Sequence, residues 1–319
     1  MNLHPRTKCP YTLKQLVELG EVNAEHVIPD ALGCPKLYAV EADARTNSTF
    51  GSTVDANFLN DFLMGMIRSH HGVKSRSGVA KLIVKGTTVH DDHPVQVTFP
   101  HEGPVGVHFS KPFIPHDDGT GGRLIAGADW EEKSAELINN FAKKGKTLTV
   151  DSRENLPTTE IHIPATVNMT HLKVGLMKIA YLAAFEYIGD PFLDDPLNEE
   201  WQKAIRATDL EQVEGIRIQG ACHDSADKAL KGILPDLETH QHAVVILNLE
   251  QTGPMVGVRL FGNSLLSIFC KLSEAGDFGM GKDQGKLVVC DSLAKTIKVS
   301  AWEDFVLKKC GIDPTTTQF

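Results

Sequence analysis

The 319-residue chain has no run of about 18 uninterrupted apolar residues, the length a helix needs to cross a bilayer, and this excludes a membrane-spanning helix. Its most apolar stretch, residues 172–188, is broken by Lys173, Lys178 and Glu186. The first ten residues carry His, Arg and Lys without an apolar centre, so no secretory leader is expected, and the expectation is a cytoplasmic protein with no membrane partner. Cysteine is scarce: the six are scattered, and no two are spaced CxxC. That leaves no four-cysteine zinc site and, in a reducing compartment, points to small buried apolar side chains. Positive charge is short too, with 32 Lys and Arg against 41 Asp and Glu, a net −9. Such a balance speaks against a surface coated for phosphate.

What is present is an ordinary folded composition, 41% hydrophobic and 23% charged, with one local exception to the acidity. Residues 62–90 hold Arg68, Lys74, Arg76, Lys81 and Lys85 and no carboxylate. The apolar pattern predicts strands at 24–29 and 36–41, then one long helix over 48–70, where Phe50, Val54, Phe58, Phe62 and Met66 recur at threes and fours. A Ser/Gly-rich stretch at 74–78 marks a boundary. Beyond it the pattern predicts strands at 80–84, 95–99 and 106–109, helices at 129–144, 172–188 and 201–207, a mainly antiparallel set of strands from 243 to 299, and a last helix at 302–309. The fold class expected is α+β: an N-terminal strand–strand–helix unit (1–77) followed by a larger α+β region (78–319), with a further division into lobes at about 205/206 allowed.

The chemistry concentrates early. Glu25-His26 is followed by Asn47 at the head of the long helix. A carboxylate and an amide oxygen are hard ligands suited to Mg²⁺ or Mn²⁺, and an adjacent imidazole can activate water against a phosphodiester. Taken alone, a Glu-His pair is commonplace. Other His, Asp and Cys groupings, at 90–93, 116–118, 222–224 and 240–242, read as turn tips or structural residues.

The run Glu25-His26-Val27-Ile28-Pro29, Ala31-Leu32-Gly33, then Asn47-x-x-Phe50-Gly51-x-x-x-Asp55, and further on Lys74-Ser75-Arg76-Ser77-Gly78, resembles the HNH endonuclease family. The resemblance covers roughly the first 80 residues and implies a ββα-metal (His-Me finger) unit that hydrolyses DNA with one Mg²⁺ or Mn²⁺, in bacteria or phages and in a defence setting. It makes Glu25 and Asn47 the metal ligands, His26 the general base and Asp55 a positioning residue. The basic stretch beside it, Arg68, His70, His71, Lys74 and Arg76, becomes the surface for nucleic acid. The chain departs from the family at its four structural cysteines, whose positions hold Cys9, Thr12, Asp43 and Thr46, so no structural zinc is expected. Two alternatives stay open: a catalytically inactive HNH-like module that binds nucleic acid or protein, and an RNase.

Overall fold

A computed structural model describes residues 2–75, 78–89, 92–111, 113–116, 122–125, 130–150, 152, 160–209, 211–212, 220–274 and 276–312. The first elements are an antiparallel hairpin of β1 (Val22–His26) and β2 (Ala39–Asp43), then α1 (Ala44–Phe50), so the strand–strand–helix order is present. The predicted long helix is in fact three pieces. It starts at Ala44, earlier than its apolar stripe suggests, because Asp43 accepts from the Thr46 amide at 2.8 Å and caps the first turn. It then widens into a π-helical turn (Gly51–Asp55) and continues as α2 (Ala56–Asn60). At Asp61 the backbone turns extended, with ψ 143, and the buried Asp61 carboxylate caps α3 (Phe62–His70) while also accepting from the Asn168 amide at 2.7 Å. A long-range hydrogen bond thus splits a helix that local periodicity reads as continuous. A short hairpin, β3 (Lys74–Ser75) with β4 (Gly78–Val79), follows.

Close contacts divide the chain into two units, Ala80–Thr166 and the remainder, Met1–Val79 with Val167–Phe319. The inserted unit holds β5 (Leu82–Thr88), β6 (Pro94–Phe99), β7 (Gly106–Phe109), the hairpin β8 (Phe113–Pro115) and β9 (Gly122–Leu124), α4 (Trp130–Ala142) and β10 (Ile161–His162). Four of these strands form a sheet in the order β10-β5-β6-β7. The contact-based units part after Val79 and again before Val167. The C-terminal part, from Val167, packs with the first 79 residues.

That second part opens with α5 (Met169–Ile188), capped by Asn168, followed by α6 (Asp190–Leu193) and α7 (Asn198–Ala204). A six-stranded antiparallel sheet then forms from β11 (Gly220–Cys222), β12 (Gln241–Leu249), β13 (Gly253–Arg259), β14 (Ser267–Lys271), β15 (Gln284–Asp291) and β16 (Thr296–Ala301), in the order β11-β14-β13-β12-β15-β16. Helix α8 (Asp224–Leu230) and α9 (Trp302–Lys309) complete it. The unbroken apolar run of β12 is explained by burial on both faces. Val244 and Ile246 join the cluster of α5, while Ala243, Val245 and Leu247 face Leu230, Leu234 and the rim residues Trp302 and Phe305. The α5 cluster also takes in Val27, Ile28, Leu32, Val40, Phe50 and Phe58, so the hairpin and its helix share one core with the C-terminal sheet.

The join between them contains His242, fully buried on β12. Its Nε2 lies 2.9 Å from the Leu32 carbonyl and its Nδ1 accepts from the Phe261 amide at 3.1 Å, which assigns the neutral Nε2-protonated tautomer. Burial pulls its pKa from 6.5 down to about 4, only partly opposed by the Leu32 carbonyl, with His71 and His240 adding to the fall and Asp291 resisting it. Between those values the unfolded chain binds a proton that the folded chain refuses. Stability therefore falls as pH drops through this window, by up to about 1.4 kcal/mol per pH unit from this group. Denaturant midpoints measured at pH 7, 6 and 5 should converge between the parent chain and His242→Gln as the pH falls; a constant gap refutes the assignment.

Candidate functional site

Glu25 is the penultimate residue of β1, on the strand face it shares with Asn23 and, across the hairpin, with Val40 and Ala42. It is 5% exposed, and burying a carboxylate is tolerable only with partners. Two meet it. The Tyr11 hydroxyl donates to Oε1 at 2.7 Å, and the Lys178 ammonium, from the middle of α5, sits 2.6 Å from the same oxygen. Lys178 is 2% exposed and also donates to both oxygens of Asp55, each at 2.7 Å. Asp55 is the last residue of the π turn. Phe50 roofs the group: Tyr11 stacks on it at 4.2 Å with the rings nearly parallel, and Lys178 lies 5.8 Å from its ring centre. Burial, and then the Glu25 charge, push the Tyr11 phenol well above its ordinary pKa, so it stays a donor.

Asn47 stands on α1 over the same face of the hairpin. Its amide donates to the Asn23 side chain at 2.7 Å. His26 follows Glu25 directly and so faces the other side of the hairpin, half-buried, and its ring makes no hydrogen bond among the described residues. Glu25, Asn47 and Asp55 thus share a side, and His26 stands apart from them. A divalent ion requires several oxygen or nitrogen donors converging on one point. These residues do not fit one: the two carboxylates already close on an ammonium, and the imidazole is turned away. Among the described residues no group of three or more His, Cys, Asp or Glu is arranged to hold a metal.

The four positions of the family's zinc cysteines have other work. The Cys9 thiol accepts from the Asp43 amide at 3.3 Å, and Asp43 accepts from both the amide and hydroxyl of Thr46, which holds its carboxyl below the ordinary range. Among the described residues Thr12 makes one long side-chain contact, accepting from the Lys14 amide at 3.5 Å. Strand end and helix start are joined here by hydrogen bonds within the polypeptide.

The expected basic stretch divides between interior and surface. Arg68 turns inward and donates to the Ala31 carbonyl at 3.0 Å and the Leu59 carbonyl at 3.2 Å, burial lowering its pKa. His71 stacks on Phe261, 5.6 Å away and nearly parallel, and packs edge-on with His70. His70 and Lys74 are exposed, and Arg76 lies outside the described residues. Two residues of the site, Tyr11 and Lys178, escape motif reading. Lys178 did carry a signal: a lysine in an otherwise apolar buried helix demands an acidic partner. No family model, no curated protein and no solved structure matches the chain.

Proposed function

We propose that the chain is a binding protein built on an HNH-like strand–strand–helix unit that does not hydrolyse its ligand, with nucleic acid as the partner class. The observation that carries this reading is the Lys178 ammonium lodged between Glu25 and Asp55, where the resemblance calls for a divalent cation. A tethered cation keeps the carboxylates neutralised and the hairpin attached to α5, but it offers no open coordination position to a phosphate or a water. The partner class rests on the sequence resemblance, with exposed Lys74 and His70 as the contacts it leaves at the surface.

The competing reading, a Mg²⁺- or Mn²⁺-dependent endonuclease on DNA or RNA, is favoured by the chain order and by Glu25 and Asn47 sharing one side of the hairpin. One experiment separates them. Purified protein is incubated with supercoiled plasmid and with structured RNA in Mg²⁺ or Mn²⁺, beside His26→Ala, and binding of labelled duplexes is followed by anisotropy at increasing salt. The proposal expects binding that weakens with salt and no strand breaks. Nicking that disappears in His26→Ala would transfer the assignment to the endonuclease, and absence of both binding and nicking would reject nucleic acid as the partner.

A further inference from the structure

Beside Phe50, between α1, the π turn, the first half of α5 and the residues after α7, lies a cavity of about 430 Å³. That size is within the range that encloses a small organic ligand. Its lining includes two arginines, Arg45 and Arg206, beside His171, with no aspartate or glutamate among the described lining residues. In a chain of net −9 this is an unusual local balance. Arg206 is held in place, donating to the Tyr11 carbonyl at 2.8 Å and the Gln202 carbonyl at 3.0 Å, with its guanidinium 5.3 Å from the Phe50 ring centre. The Arg45 guanidinium makes no hydrogen bond among the described residues.

The hydroxyls add a second kind of selectivity. Thr49 donates to the Arg45 carbonyl at 3.1 Å and Thr53 to the Thr49 carbonyl at 2.7 Å. With their protons spent on the backbone, both present oxygen acceptors to the cavity, whereas the arginines present donors. Val54 and Val174 supply an apolar wall. Thr53 and Val54 belong to the π turn, a rare conformation that recurs at functional sites, and the same turn ends at Asp55, which accepts from Lys178. We infer that this cavity binds a small phosphate ester that also carries hydrogen-bond donors and an apolar face, the chemistry of a nucleotide. The phosphate pairs with Arg45 and Arg206, and the ligand's N–H or O–H groups meet the threonine oxygens. This inference stands whether or not the hairpin cuts nucleic acid.

Calorimetric titration of the full chain tests it, using inorganic phosphate, ribose 5-phosphate, the four nucleoside 5′-monophosphates and uncharged adenosine. Nucleotides are expected to bind, adenosine at least about tenfold more weakly. Arg45→Glu, at an exposed position where thermal unfolding should match the parent, is expected to weaken nucleotide binding by at least about tenfold, and Lys36→Glu, the same charge change elsewhere on this unit, by less than about twofold. Ribose 5-phosphate binding as tightly as the nucleotides would overturn the nucleotide assignment, since it lacks the apolar face that Val54 and Val174 would meet. Failure of every phosphate ester to bind at about 1 mM, equal binding of adenosine, or equal weakening by Lys36→Glu would overturn it.

Discussion

Lys178→Met is expected to lower the unfolding free energy by about 3–5 kcal/mol, the cost of leaving Glu25 and Asp55 buried without their counter-charge. The loss is not the worth of the ion pair. Desolvating three charges offsets much of their attraction, and the penalty comes from stranding two carboxylates beside Phe50. A second variant separates these effects. Lys178→Met combined with Glu25→Gln and Asp55→Asn removes all three charges and should recover most of the stability, because well-packed neutral groups often replace a buried ion cluster at little cost. Urea midpoints with a common slope read both effects. A single variant within about 1 kcal/mol of the parent would show that the ammonium is not the partner of these carboxylates in solution.

Residues 1–79 expressed alone should show no cooperative unfolding transition. An autonomous ββα domain would show one. The reason is the shared core: Val27, Ile28, Leu32, Val40, Phe50 and Phe58 are buried with the residues of α5 and with Val244, Ile246 and Val288 of the sheet. Polar ties cross the same boundary, from the Tyr181 hydroxyl and the Gln202 amide to the Pro10 carbonyl, from Asp190 to the Thr7 amide, and from Lys178 to Glu25. A fragment of that size already buries too small a fraction of its surface for much margin, and here its apolar face is left in water. Circular dichroism through a thermal ramp decides: a sigmoidal transition in the fragment would show that the hairpin and its helices form an independent domain.

The outline of this fold was legible wherever local pattern and tertiary context agree. The terminal helix matches its predicted bounds of 302–309, and α5, β6 and β7 lie within a few residues of theirs, since apolar periodicity and strong terminators such as Gly189 act within one or two turns. The helix over 48–70 was misread because its interruption at Asp61 depends on Asn168, 107 residues away. The division into units was not legible in the sequence for a related reason. A chain that leaves a core at Val79 and returns to it at Val167 has no local mark at its point of return that distinguishes it from a new domain.

The candidate site divides the same way. Glu25, His26 and Asn47 stand out as residue types at a spacing, and alternation along β1 alone puts Glu25 and His26 on opposite faces. Composition and order were enough for the α+β class, for the absence of a membrane-spanning helix among the described residues and for the hairpin-then-helix sequence. Which cation faces Glu25 was not a local matter. Lys178 is 153 positions further along the chain, and as letters it only interrupts an apolar run; packing α5 against the hairpin brings its ammonium within 2.6 Å of the carboxylate and makes a buried charge affordable. Long-range electrostatic pairing in a dry core is set by three-dimensional proximity, and one-dimensional spacing carries no record of it.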